Sequence, residues 1–240
     1  MDDRDGADIA RNLECVRQRV AAACLRCGRE KDEVTLIAVT KTVPAGRVRL
    51  ACALGLTDVG ENRVQEAREK MPSLSDLSLR WHMIGHLQSN KVGQVADSFH
   101  FVQSVDSVEI AVHLSRRMQG KGGALLAVLL EVNIGAEPSK SGFVVGDGAR
   151  EAFLAAVGQI VRLPGLDVQG LMTVAPIATE PEQARPYFRQ LRLLRDHLRS
   201  VWPQRTWSLS MGMSDDFEVA IEEGATMVRL GRAIFGPRQA

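Results

Sequence analysis

An α/β protein closed into one (β/α)8 TIM barrel, with an extra amino-terminal helix, is the fold this sequence predicts. Three observations predict it. Eight short apolar, β-branched runs recur along the chain, helical patterns separate them, and 240 residues is a length that suits such a barrel. Runs that are almost continuously apolar read as strands covered on both faces, which is how parallel sheets are buried. An open doubly wound sheet with fewer strands is the competing architecture, and eight βα units in this length favour closure.

Taken in order, Ile9, Leu13, Val16, Val20, Ala23 and Cys27 recur at spacings of three and four and stop at Gly28. That spacing predicts an amphipathic helix over about 7–27 with a glycine stop. The first strand run is 34–39, Val-Thr-Leu-Ile-Ala-Val. Later runs fall near 57–59, 80–84, 99–103, 124–132, 167–172, 206–209 and 227–230. Helical patterns occupy about 45–55, 63–71, 90–97, 107–118, 147–162, 181–200 and 215–223. No internal repeat and no Pro-, Gly- or Ser-rich linker divides the chain, so residues 1–240 are expected to form a single domain.

Composition narrows the function classes. The chain is 45% hydrophobic and 25% charged, an ordinary globular mix. A net charge of +1 argues against nucleic acid as a partner. No apolar stretch approaches the ~18 residues of a membrane helix. The start, Met1-Asp2-Asp3-Arg4-Asp5, is unlike a secretory signal. Cys15, Cys24, Cys27 and Cys52 are too few to staple a chain this long, so a cytoplasmic location is expected. Cys24 and Cys27 have redox-motif spacing but close a helix. His82 and His86 lack a third ligand in the sequence, so no metal site is expected. Arg189, Arg192, Arg195 and Arg199 lie beside Leu191, Leu194 and Leu198, a solvated face opposite a core stripe.

Barrel chemistry sits at the carboxyl ends of the strands. Of six lysines, only Lys41 directly follows an apolar strand run and would point into the barrel mouth. Lys70 on an acidic helix and Lys140 in a polar loop have ordinary contexts. Desolvation at a mouth disfavours an ammonium, and a neutral amine is what Schiff-base chemistry with an aldehyde cofactor requires. A lysine paired with a strand-end carboxylate such as Glu61 is the alternative.

The loops after strands seven and eight are the usual phosphate site of such barrels. Here they read Ser210-Met211-Gly212-Met213-Ser214 and Gly231-Arg232-Ala233-Ile234-Phe235-Gly236. Gly231 permits close backbone approach, the amides of Gly231 and Arg232 could form an anion nest, and Ser210 offers a hydroxyl. Asp215 and Asp216 already complement the helix after Ser214, so the 231–236 turn is the favoured cradle. Two glycine turns without a ligand are the plainer alternative. Arg229 interrupts the apolar run of the last strand. A buried guanidinium there needs a partner, either a cofactor ring nitrogen or a carboxylate such as Glu61.

These residues resemble a known set. The segments 36–42 (LIAVTKT), 60–66 (GENRVQE), 81–85 (WHMIG) and 87–91 (LQSNK) are similar to the pyridoxal 5′-phosphate (PLP) homeostasis protein family. So are Val132 and Asn133 with Glu137, 140–142 (KSG), 170–172 (GLM), 210–215 (SMGMSD) and 228–231 (VRLG) through Phe235 and Gly236. The match runs over about residues 7–238. It implies a fold-type III PLP-binding barrel like the amino-terminal domain of bacterial alanine racemase, with the cofactor held as a Schiff base on Lys41. Carried over, Ser210, Gly231 and Arg232 would hold the phosphate, Arg229 would face the pyridine nitrogen, and Asn62 and Met172 would line the site. Thr40 stands where serine is common, and Arg232 where many members carry threonine or serine. The second change removes a hydroxyl contact and leaves backbone contacts intact.

The resemblance also separates binding from turnover. Arg229 beside the ring nitrogen would disfavour its protonation and weaken the cofactor as an electron sink. Racemisation further needs a second acid/base, which alanine racemase takes from a second domain of a partner subunit. The one tyrosine here, Tyr187, falls on a helix expected in the outer ring. The expected function is therefore intracellular PLP homeostasis, by buffering or delivery to PLP-dependent apo-enzymes, without substantial catalysis. A monomer with no nucleic-acid and no membrane partner is expected. A small fold-type III PLP-dependent racemase using His82 as its second base is the alternative.

Overall fold

The apolar runs become strands because each is covered by helices outside and by other strands' side chains inside. The computed structural model describes residues 3–146 and 148–237. Its strands are β1 (Thr35–Val39), β2 (Asp58–Glu61), β3 (Arg80–Met83), β4 (Phe101–Val105), β5 (Leu126–Asn133), β6 (Phe143–Val144), β7 (Leu166–Met172), β8 (Ser208–Ser210) and β9 (Met227–Leu230). The helices are α1 (Asp3–Arg26), α2 (Ala45–Ala53), α3 (Val64–Lys70), α4 (Val92–Ser98), α5 (Val108–Gln119), α6 (Arg150–Ile160), α7 (Arg185–Val201), α8 (Phe217–Glu222) and α9 (Arg232–Phe235).

Eight strands pair in parallel around a ring, β1-β2-β3-β4-β5-β7-β8-β9, and β9 returns to β1. The predicted barrel is therefore the observed one. The ninth strand, β6, extends the carboxyl end of β5 through Val132–Phe143 and Asn133–Val144 pairing. Two residues are too few to carry a periodicity, so the sequence offers no sign of it. Helix α1 starts at Asp3, four residues before the expected 7, and packs across α2, α8 and α9. Its buried stripe is the predicted one, Ile9, Leu13, Val16, Val20 and Ala23. The four larger of these, Ile9, Leu13, Val16 and Val20, each contribute roughly 1.5–3 kcal/mol when fully buried. At its end Cys27 Sγ sits 3.3 Å from Ala23 O, a packed helix terminus, and the four described cysteines are free thiols.

Strand parity sorts the side chains. Most outward residues join the large core between strands and helices, while Phe101, Leu129 and Met172 form a separate apolar cluster. We place that cluster in the lumen, where Asp58, His82, Gln103, Ser210 and Arg229 are also buried. Gly170 lets β7 and β8 approach closely, since a Cβ there would lie 2.1 Å from Ser208 O. Among the described residues no helix is long and apolar enough to cross a membrane.

Candidate functional site

Lys41 leaves the end of β1 in a turn, half-buried, and the chain on both sides of it is clamped. Lys70 Nζ donates to Thr40 O at 2.6 Å, to Glu61 Oε1 at 2.8 Å and to Glu66 Oε1 at 2.7 Å. Thr40 Oγ1 donates to the same Glu61 oxygen at 2.7 Å, and the Thr42 N–H donates to Glu66 Oε1. Thr42 has φ of 62°, a left-handed conformation that a β-branched residue adopts only when its surroundings impose it. Burial pushes the Glu61 carboxyl up, against the pull of Lys70 and Thr40. The strand-end carboxylate thus takes its ion pair from Lys70. Lys70 reads as an ordinary helical lysine because its reach from α3 to the β1 and β2 ends is a tertiary fact.

Arg229 lies opposite Ile37 across the β1–β9 pairing, so its side chain enters the lumen one strand from Lys41. It is 5% exposed and donates to Ser210 Oγ and to Thr173 O, both at 2.7 Å. Burial lowers its pKa to about 10, with Glu131 and Asp216 opposing, and it stays charged at neutral pH. Its hydrogen-bond partners are therefore Ser210 and Thr173, and the Glu61 alternative falls away. Ser210 is wholly buried and gives its hydrogen to Gln103 Oε1 at 2.7 Å. Its hydroxyl has an acceptor lone pair left to offer an external group but no donor. Gln103 escaped the sequence reading; the signal was a polar residue at lumen parity in an apolar strand.

The turn after β9 packs on the end of β1, where a Cβ at Gly231 would lie 3.4 Å from Val39 O. Ala233 N–H donates to Ser214 Oγ at 3.2 Å, which ties the two predicted phosphate loops together. The Arg232 guanidinium is largely exposed and pairs with Asp215. Asn62 is held by close backbone packing, since a Cβ at Gly85 would lie 2.3 Å from Asn62 O. Met172 lies in the lumen cluster.

Across the ring, Glu131 near the end of β5 lines a cavity of about 170 Å³ with Asn133, Lys140, Ser141 and Val174. Its Oε2 is buried without a hydrogen-bond partner. Burial and the nearby Asp106 push its carboxyl up to about 7, against Arg229 and His86. Asn133 folds the following loop by donating to Glu137 O and Lys140 O. A larger cavity of about 600 Å³ opens at the opposite, amino-terminal end, lined in part by Arg17, Lys31, Asp58 and Arg80.

His82 is not the mouth-facing base that a racemase would need. It is buried, 2.8 Å from Asp58 and 3.0 Å from Gln103, and stacked on Phe101 at 5.1 Å. Parity turns residue 82 into the lumen, where both ring nitrogens are engaged. Tyr187 lies on α7 and packs partly buried against the outer core. Among the described residues no three metal-ligating side chains converge.

The sequence matches the family described as alanine racemase, N-terminal domain, over residues 5–239. It is 43% identical over 227 residues to the pyridoxal phosphate homeostasis protein of Aquifex aeolicus, covering 95% of this chain and 97% of that one. To the protein of the same name from Pseudomonas aeruginosa it is 44% identical over 231 residues, 96% of each. This chain belongs to the pyridoxal phosphate homeostasis protein family. Among solved structures, PipY of Synechococcus elongatus with PLP bound matches at a TM-score of 0.81 and 36% identity, covering 95% of this chain and 100% of that one. An alanine racemase of Clostridium difficile, at 15% identity, shares the fold: its TM-score is 0.71, over 98% of this chain and 57% of that one. The homeostasis-family chain thus spans the length of its relatives and only part of the racemase.

Proposed function

We propose that this protein binds pyridoxal 5′-phosphate reversibly at Lys41 and contributes to intracellular PLP homeostasis by buffering the cofactor and delivering it to apo-enzymes. One observation carries the reading: Lys41 is clamped at a strand end beside the Gly231 turn and one strand from the buried, donor-only Arg229. An amine, a turn rich in amides and a guanidinium suit the aldehyde, the phosphate and the ring nitrogen of one molecule. The PLP-bound PipY supports the same choice of ligand.

When bound, PLP supplies an aldehyde that a lysine amine can hold as a Schiff base. Lys41 provides that amine. Arg229 presents N–H donors and no acceptor, so a ring nitrogen facing it would stay unprotonated. The Gly231 and Arg232 amides would hold the phosphate, with Arg232 adding charge from the surface, while Ser210, whose hydrogen goes to Gln103, serves Arg229 rather than the phosphate. Asn62 and Met172 would form the walls. His82 and Tyr187 lie away from the mouth, which supports holding over turnover. The protein acts in the cytoplasm as a single-domain monomer.

The absorption spectrum of the purified protein tests this. An absorption band near ~420 nm is expected in the wild type and absent in Lys41→Ala. A band that survives in Lys41→Ala, or amino-acid racemisation at ordinary enzyme rates of about 1–1000 per second, would overturn the reading.

A further inference from the structure

A continuous buried hydrogen-bond chain crosses the lumen from Arg229 to Asp58. Arg229 Nη1 meets Ser210 Oγ at 2.7 Å, Ser210 Oγ meets Gln103 Oε1 at 2.7 Å, and Gln103 Nε2 meets His82 Nδ1 at 3.0 Å. His82 Nε2 then meets Asp58 Oδ1 at 2.8 Å. Asp58 Oδ2 accepts from Arg80 and Thr57, each at 2.8 Å, at the rim of the amino-terminal cavity. All five residues from Arg229 to Asp58 are between 0% and 5% exposed.

The links share one direction once every buried donor is satisfied, because the single Ser210 hydrogen finds an acceptor only at Gln103 Oε1. A guanidinium only donates, so Ser210 accepts from it and sends its one hydrogen to Gln103 Oε1. The amide nitrogen of Gln103 then faces His82 and donates, which leaves Nδ1 bare and puts the ring hydrogen on Nε2. That hydrogen points at a carboxylate, which only accepts. Burial works to raise the Asp58 carboxyl, but bonds from His82, Arg80 and Thr57 outweigh it and keep it below its ordinary value. Burying so many polar groups is costly unless each is satisfied, and a satisfied network is rigid.

We propose that Asp58, His82 and Gln103 are positioning residues for the cofactor site: they impose one hydrogen-bond polarity on Ser210 and so hold the Arg229 donors aimed at the ring edge of PLP. The proposal rests on the assignment of Arg229 to the ring nitrogen. It predicts action at a distance. In Asp58→Asn, an amide N–H faces His82 Nε2 and moves the ring hydrogen to Nδ1. Gln103 must then flip, its nitrogen faces Ser210, and the Ser210 hydrogen is left against a guanidinium that cannot accept it. Adding Gln103→Glu repairs the chain in the reversed sense, because the new carboxylate accepts from both Ser210 and the His82 Nδ1–H. Net charge is the same in the wild type and the double variant.

Two measurements test this. Nitrogen-15 NMR of the histidine rings, in cofactor-free protein at neutral pH, should show His82 as the neutral Nε2–H tautomer in the wild type and as Nδ1–H in both variants. PLP titrated by absorbance should bind about tenfold more weakly to Asp58→Asn, the size of one misdirected buried hydrogen bond. The double variant should recover to within about threefold of wild type, since its links are again satisfied. An imidazolium or Nδ1–H form in the wild type overturns the proposal, as does wild-type affinity in Asp58→Asn or a folded double variant that does not recover. Should Asp58→Asn fail to fold, the wild-type tautomer and the double variant decide. The tautomers are read without PLP, so loss of the Lys41 assignment would show separately, in the absorption band.

Discussion

The ammonium of Lys70 sits 2.6 Å from the carbonyl oxygen of Thr40, the peptide immediately before Lys41. The same ammonium neutralises Glu61, which is wholly buried, so one cation fixes both the backbone and the electrostatics at the strand end.

Removing that cation strands a buried carboxylate. Lys70→Met should cost about 3–5 kcal/mol, read as a lower urea midpoint. Burial outweighs the pull of Lys70 and Thr40, so folding raises the Glu61 carboxyl above its ordinary value. The stability tied to it is present in acid and lost as pH rises through the folded value. Without Lys70 the folded value rises further, so the deficit should be smallest in acid and largest above neutrality. A deficit independent of pH would contradict this assignment.

Glu131 should give a second, separable pH effect. Its carboxyl moves from an ordinary 4.5 to about 7, with burial and Asp106 as the causes. Raised values favour the protonated, folded form, so cofactor-free wild type should lose stability between about pH 4.5 and 7, by at most roughly 3 kcal/mol. Glu131→Gln should lack that slope and exceed the wild type above neutrality. Urea midpoints across the range decide it; parallel curves for the two proteins would rule it out.

Gly85→Ala should destabilise through contact alone. The added methyl would lie 2.3 Å from Asn62 O and 2.7 Å from Asn62 Cα, backbone atoms that cannot swing aside. Forcing them apart should cost about 1–3 kcal/mol and displace Asn62 from the site wall. Thermal denaturation and PLP titration should both register the change, whereas Gly93→Ala, with open space around it, should stay near wild type.

Arg232→Ala should matter little. The side chain is 61% exposed and engaged with Asp215, and exposed ion pairs contribute little. PLP affinity should fall by less than about fivefold, since solvent screens the lost charge. A loss of a hundredfold or more would show that the guanidinium reaches the phosphate directly.

The sequence alone determined the repeating strand–helix alternation, the barrel, the stripe of α1, a lysine at the end of the first strand and an arginine inside the last. Each is written in local periodicity or in the residue that interrupts it, and such patterns survive without knowledge of neighbours. Tertiary structure decided the rest. Lys70 meets Thr40 only because α3 lies against the ends of β1 and β2. Gln103 and Ser210 are more than a hundred positions apart and touch because the sheet closes around a shared lumen. His82, which reads as a possible base at the mouth, is turned inward by strand parity and tied between Gln103 and Asp58. Closure and stagger fix which inward side chains face one another, and no single strand's pattern encodes the register of the strand across the barrel.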